Sequence, residues 1–187
     1  MYDVMLDVET TGTDPYHNGI LQIAAWKFDY MTGEVGDHID IPVQLAPNRY
    51  WDMGTIQWWR EEPGRLAHLN ELNKTGVPAA QGWQALFDFI GFSHQKVRLW
   101  AKPITFEYPF LESHFRQLGI PMPFHYRYCR DINTWIAGLA GNPSFTTYDI
   151  PVEFEGQPHN ALWDSLHDMR CLLKAKEMAA AGELVRD

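Results

Sequence analysis

The chain has 187 residues, 45% of them hydrophobic, enough to bury the core of one domain. Its formal net charge of −9 excludes a protein held to nucleic acid by a broad basic surface, but leaves room for an enzyme whose local positive charge comes from metal ions. Two cysteines (Cys129 and Cys171), no apolar signal core after Met1 and no run of about 18 apolar residues exclude a disulfide scaffold and a membrane span, and predict a cytoplasmic protein.

Taken in chain order, Tyr2 to Glu9 reads as a buried strand, with Val4, Leu6 and Val8 on one face, that ends in carboxylates. The turn residues Thr10-Thr11-Gly12 and Asp14-Pro15 follow it. A second strand over Ile20 to Tyr30, a hairpin closed at Thr32-Gly33 and a third strand over His38 to Gln44 complete a meander. Thr55 is placed to cap a short helix to Glu61, and Pro63-Gly64 breaks it before a helix over Leu66 to Leu72. Pro78 suits the first turn of a helix to Phe92. A short strand over Lys96 to Ala101 comes next, then a helix from Phe106 to Leu118 stopped by Gly119. Tyr126 to Arg130 reads as a strand, Asp131 to Leu139 as a helix and Gly141 to Pro158 as loop. The last helix runs from Asn160 to Ala181 and stops at Gly182. Hairpin-connected strands followed by alternating helices and strands predict a mixed α/β sheet in a single domain over residues 1–187.

Asp7 and Glu9 lie two residues apart in the first strand, so both carboxylates point the same way. Like charges held side by side raise each other's pKa unless a cation is bound, and all-oxygen donors suit Mg²⁺ or Mn²⁺ rather than Zn²⁺. On the last helix, steps of about 100° put Trp163, His167, Arg170, Lys174 and Glu177 on one polar arc. Asp164 falls outside that arc, beside Ala161, Ser165, Cys171 and Ala175. A carboxylate facing packed structure needs a partner, and a metal shared with Asp7 would provide one. Asp168, one turn on, reads as a helix-edge acid rather than a ligand. His159, five residues before Asp164, is of the type that takes a proton from an attacking water. Trp58 and Trp59 are adjacent on a helix, so at most one is expected to face a ligand while the other packs. Cys129 is expected to be buried rather than nucleophilic. Arg49, Arg60, Arg65, Lys96, Arg98 and Lys102 either guide a strand or form a solvated surface.

Three stretches together resemble the motifs of a known family. They are Asp7-Val8-Glu9-Thr10-Thr11-Gly12, then Trp100-Ala101-Lys102-Pro103-Ile104-Thr105-Phe106-Glu107 continuing to Phe110-Leu111, and His159-Asn160-Ala161-Leu162-Trp163-Asp164. In order and separation they resemble the first, second and third motifs of the DnaQ-like exonucleases, the DEDDh group of the ribonuclease H-like superfamily. Thr55-Ile56-Gln57-Trp58-Trp59 is similar to a feature of the phage-type, ribonuclease T-like members. The second motif departs from the family, with Glu107 in place of aspartate and Lys102-Pro103 in place of a usual Asn-Gly. Glutamate keeps the charge but adds a methylene, so its carboxylate reaches further or folds back; Glu112 is the alternative acid nearby.

The resemblance implies a ribonuclease H-like mixed five-stranded sheet with helices on both faces, and a site where the first strand meets the last helix. It implies a metal-dependent 3'-5' exonuclease that releases nucleoside 5'-monophosphates, with Asp7, Glu9, Glu107 and Asp164 holding two divalent ions, Mg²⁺ or Mn²⁺. In that scheme Asp7 bridges both ions, Asp164 completes the site nearer the nucleophilic water, Glu9 and Glu107 hold the other ion, and His159 is the general base. The terminal nucleotide is expected against Thr10, Thr11 and Phe106, with Met53, Ile56, Trp58 and Trp59 walling the base. DNA is expected over RNA, because the Trp-Trp pattern resembles phage-type members linked to DNA processing. The alternatives are an exoribonuclease or oligoribonuclease, and a catalytically silent nucleic-acid-binding module on the same fold.

Overall fold

A strand that is apolar on both faces belongs in the middle of a sheet covered on both sides. Strand β1 (Tyr2–Thr10) has that pattern: Val4, Leu6 and Val8 enter one hydrophobic core and Met5 enters another. The computed structural model describes residues 2–61, 63–91 and 97–184. In it, β1 pairs antiparallel with β2 (Ile20–Phe28) and parallel with β4 (Val97–Ala101). Strand β3 (Val35–Pro42) extends the sheet beyond β2, and β5 (Cys129–Asp131) extends it beyond β4. The order is β3-β2-β1-β4-β5, the expected mixed five-stranded sheet.

Helices cover both faces. Trp83, Leu86 and Ile90 of α3 (Ala79–Ile90), with Phe110, Leu111 and Phe115 of α4 (Ile104–Leu118), pack on the face that carries Val4, Leu6 and Val8. Ile132 and Ile136 of α5 (Ile132–Ala140), with Met169, Leu172 and Ala175 of α6 (Ala161–Ala181), pack on the Met5 face. Helices α1 (Met53–Arg60) and α2 (Arg65–Thr75) close a third, smaller cluster of Trp59, Leu69 and Leu72 with Leu21. Among the described residues no helix is long and apolar enough to cross a membrane.

Several boundaries differ from the sequence reading, each for a local reason. Helix α1 is capped by Asp52, whose carboxylate accepts from the Thr55 N–H at 2.7 Å, rather than by Thr55 itself. Helix α4 begins at Ile104, two residues early, because Asp131 Oδ2 accepts its first N–H at 3.1 Å. The same Asp131 caps α5 through Oδ1 and Thr134 N–H, so one side chain starts two helices. Tyr126–Tyr128 form a 3-10 turn and not a strand, because pairing with β4 starts only at Leu99 and Cys129. A further 3-10 turn, Thr147–Asp149, lies in the segment read as loop and is closed by a Thr146–Asp149 capping box. The expected ends at Phe92 and Lys96 lie outside the described residues.

Two cations read as either guiding a strand or forming a solvated surface are instead structural. Arg98 grips the buried Asp3 carboxylate through two bonds, at 2.5 and 2.6 Å, and Trp100 Nε1 donates to the same group at 2.7 Å. Arg49 is buried and ties the β1–β2 turn to α4, donating to Pro15 O, Asn18 O, Ser113 Oγ and Gln117 Oε1. The start of α6 is held to the sheet by Gln22 of β2, directly opposite Glu9. Its Oε1 accepts from Ala161 N–H at 3.1 Å, and its Nε2 donates to Asn160 Oδ1 and Asp40 Oδ1.

Candidate active site

Period-two alternation puts Asp3, Met5, Asp7 and Glu9 on the α6 side of β1, and α6 starts there with Asn160 as its cap. One carboxylate oxygen each from Asp7, Glu9 and Asp164 lies within 4.8 Å of the other two. Burial pushes the Asp7 carboxyl well above the usual carboxylate range, and the charges of Glu107, Glu9, Asp164 and Asp168 push the same way. Burial lifts Glu9 to about 8, Asp164 adding to the shift and Arg65 opposing it. Asp164 rises to about 6, again through burial and then Asp168, although the backbone N–H groups of His159 and Asn160 bond to its carboxylate.

Glu107 sits in the first turn of α4, only 2% exposed. Its Oε2 has no hydrogen-bond partner among the described residues. Burial, Glu9 and Asp168 hold its carboxyl well above the ordinary range. Glu112 lies away from this cluster, bonded to Arg116 at 3.3 Å. A buried, bondless carboxylate oxygen beside three clustered acids fits a divalent cation with oxygen ligands, since otherwise each desolvated charge is opposed by its neighbours. The cluster makes the metal-free fold pH-sensitive. A carboxyl whose folded pKa is about 8 binds more protons folded than unfolded, so its contribution to stability falls as pH rises between about 4.5 and 8. The rise in melting temperature on replacing EDTA by Mn²⁺ is therefore expected to be larger at pH 8 than at pH 6 in a thermal-shift assay. Indifference to Mn²⁺ at both pH values would argue against a cation site here.

His159 occupies the left-handed backbone region, with φ of 59°, uncommon for a residue with a side chain. Its ring meets Trp58 and Trp59 edge-on, with centroids 5.2 and 5.6 Å away, contacts that hold the strained residue in place. Beside it opens a cavity of about 490 Å³ whose wall includes Glu9, Thr10, Trp58, Trp59, Phe106 and His159. Both tryptophans line it, although adjacency on a helix argued that at most one would. They stand edge to face at 4.7 Å, so Trp59 anchors in the small core at 4% exposure and still shows the cavity a surface, while Trp58 is 43% exposed. Three expected substrate contacts do not line it. Thr11 is fully buried, its hydroxyl donating to Tyr50 O at 2.7 Å and accepting from Gly19 N–H at 2.8 Å. Met53 is 71% exposed at the start of α1, and Ile56 lies on that helix without reaching the cavity.

The wall also contains Gly12, Thr13, Asp52, Gly54 and Thr55, none of which the sequence singled out for this role. Gly12 must be glycine, because a Cβ there would collide with the Asn18 side chain. Arg65 lies over the Trp58 ring at 5.8 Å. Asp168 is not a helix-edge acid: it is buried and ion-paired with Lys102, itself read as either guiding a strand or lying on a solvated surface. The helical offset of four from Asp164 carried the signal, since both acids share one face of α6. Cys129 is half-buried, and burial pushes its thiol up to about 11, away from nucleophilic use.

The five-stranded sheet order, with helices on both faces and acids of β1 and α6 meeting at one place, matches the DEDDh-type exonuclease fold. The chain belongs to the family described as the 3'-5' exoribonuclease Rv2179c-like domain, whose model matches residues 2–175. No curated protein sequence matches it. Among solved structures, the nuclease domain of 3'hExo, a DEDDh family member bound to rAMP, is 16% identical with a TM-score of 0.67, covering 99% of this chain and 94% of that one. A zinc-bound E. coli ExoI–ssDNA complex is 15% identical with a TM-score of 0.74, over 97% of this chain but only 42% of that one. A 3'-exonuclease recognising a histone mRNA stem-loop is 15% identical with a TM-score of 0.69, over 99% of this chain and 65% of that one.

Proposed function

We propose that the chain degrades RNA from its 3' end, one nucleotide at a time, releasing nucleoside 5'-monophosphates. The observation that carries this reading is the double position of Glu9, which belongs at once to the acidic cluster and to the wall of the aromatic cavity. Hydrolysis at the cluster would thus act on a strand whose last nucleotide fills the cavity, and the cavity has the size of a small-ligand site.

Asp7, Glu9, Glu107 and Asp164 would hold two divalent ions, Mg²⁺ or Mn²⁺. When bound, such ions supply Lewis-acid stabilisation of charge on the scissile phosphate. His159 takes the proton of the attacking water on its imidazole nitrogen. Trp58 and Phe106 offer faces on which a base stacks without regard to sequence, and Thr10 with Glu9 meets the terminal sugar. The Trp-Trp pattern favours DNA by resemblance, whereas the family's description favours RNA. Asp52, Thr13 and Thr55 on the cavity wall add polar groups able to engage a 2'-hydroxyl, which supports RNA.

The test is incubation of 5'-labelled and 3'-labelled RNA and DNA with Mg²⁺, Mn²⁺ or EDTA. Expected are a ladder from 5'-labelled RNA, immediate mononucleotide release from the 3' label, and no reaction in EDTA. Faster degradation of DNA would reverse the substrate assignment. Absence of mononucleotides from either polymer would sink the exonuclease reading.

Glu107 stands where the resembled DnaQ-like motif has aspartate, so its role has its own test. Glu107→Gln keeps shape and removes charge, and in Mg²⁺ it should lower the rate by about 100-fold, near 2.7 kcal/mol of barrier. Mn²⁺, more tolerant of its ligand set, should recover part of that loss. Glu107→Asp should stay active below wild type, because the backbone is set for the longer side chain. A Glu107→Gln rate equal to wild type in Mg²⁺ would show that Glu107 is not a ligand.

A further inference from the structure

Helix α6 carries a second acid, Asp168, one turn after Asp164 and outside the proposed set of metal ligands. Asp168 Oδ1 is ion-paired with Lys102 Nζ, and both side chains are largely covered, at 5% and 23% exposure. The ammonium also donates to Thr147 Oγ1 at 3.4 Å and lies 5.7 Å from the Tyr148 ring centroid. Lys102 stands between β4 and the start of α4, the helix that delivers Glu107; Asp168 is on the helix that delivers Asp164. The pair therefore links the two helices that bring the later carboxylates to β1. Asp168 makes it harder for Asp7, Glu107 and Asp164 to stay ionised, and Lys102 makes it easier for Asp164. Burial weakens the Lys102 ammonium, but the charge and hydrogen bond of Asp168, together with Tyr148 and Asp7, more than offset it.

We propose that Lys102 is a charge-setting and positioning residue of the metal site: by neutralising the covered Asp168 it leaves four carboxylates, rather than five, to face the cations. An exposed ion pair would contribute little, but a covered one whose partner is removed leaves a buried charge that its neighbours must answer. The inference rests on the reading of the acidic cluster as a cation site. Asp168 is not a ligand in this scheme, because its nearer oxygen is committed to the ammonium. The pair acts on bound cations through space, so its two halves have effects of opposite sign.

Mn²⁺ affinity, followed at pH 8 through the electron paramagnetic resonance of free Mn²⁺, tests this without requiring turnover. Lys102→Met leaves Asp168 uncompensated and should tighten binding by about tenfold, whereas Asp168→Asn leaves an ammonium beside the cations and should weaken it by about tenfold. The double variant should return to within about threefold of wild type. Circular-dichroism melting of each variant shows whether the fold survives. If Lys102→Met does not fold, the contrast between Asp168→Asn and the double variant decides. Weaker binding in both single variants would make the pair merely structural and overturn the proposal. A double variant as weak as Asp168→Asn would make Asp168 a ligand and overturn it too. A wild-type protein that binds no Mn²⁺ would instead remove the cation site itself, and this inference with it.

Discussion

Asp7→Ala and Asp164→Ala are each expected to lower mononucleotide release by at least about 10³-fold, equivalent to about 4 kcal/mol of barrier. Asp7 is the point on which the charges of Glu107, Glu9, Asp164 and Asp168 converge, so no neighbouring acid can take its place without moving the others. The fold should survive. Among the described residues no hydrogen bond ties the Asp7 carboxylate to the structure, and removing one of several mutually repelling buried charges relieves strain in the metal-free protein. The melting temperature of Asp7→Ala in EDTA should therefore match or exceed that of wild type, while the gain on adding Mn²⁺ disappears. Asp164 accepts from the N–H groups of His159 and Asn160, so Asp164→Asn is the better companion there, keeping an acceptor at the start of α6. Rates on 5'-labelled RNA and paired melting curves check both statements. Ordinary turnover by either variant would remove the metal assignment.

His159→Ala should lower turnover by about 10²–10⁴-fold, the usual contribution of a general base, with Mn²⁺ affinity nearly unchanged. The loss should shrink towards alkaline pH, where hydroxide replaces the missing base. Backbone strain complicates the alanine variant, because φ of 59° suits alanine poorly and asparagine better. His159→Asn keeps the left-handed backbone and a polar tip but cannot accept a proton at this pH, and it should be as slow as His159→Ala. A nearly active His159→Asn would shift the importance of this position from proton transfer to backbone shape. A loss independent of pH, joined to weakened Mn²⁺ binding, would make His159 a ligand instead.

How much of this was legible in the chain follows from the range of each signal. The alternation in β1 and the 3.6-residue period of α6 are local, and they sufficed to place Asp7, Glu9 and Asp164 on facing surfaces. The stops at Gly119 and Gly182 were equally local, since both adopt the left-handed conformation that glycine tolerates. The start of α4 was misplaced because the carboxylate that accepts its first N–H, on Asp131, lies 27 residues later. Trp59 was half legible: its helical position was readable, but not that an edge-to-face pair lets both tryptophans border the cavity.

By itself, the sequence determined a mixed α/β chain, the strand end that carries two acids and the helix start that carries a third, because hydrophobic period and turn chemistry act within a few residues, whereas the strand order β3-β2-β1-β4-β5 belongs to the tertiary structure. Only the tertiary structure decided which charged groups meet. It drew Lys102 to Asp168, Arg98 to Asp3 and Arg49 to the β1–β2 turn, giving three cations partners distant in the chain. It turned Thr11 inward as a hydroxyl staple and left Met53 outside. The physical reason is that a buried charge or hydroxyl is satisfied by whatever partner the packed fold brings within bonding distance, and that partner can lie anywhere along the chain.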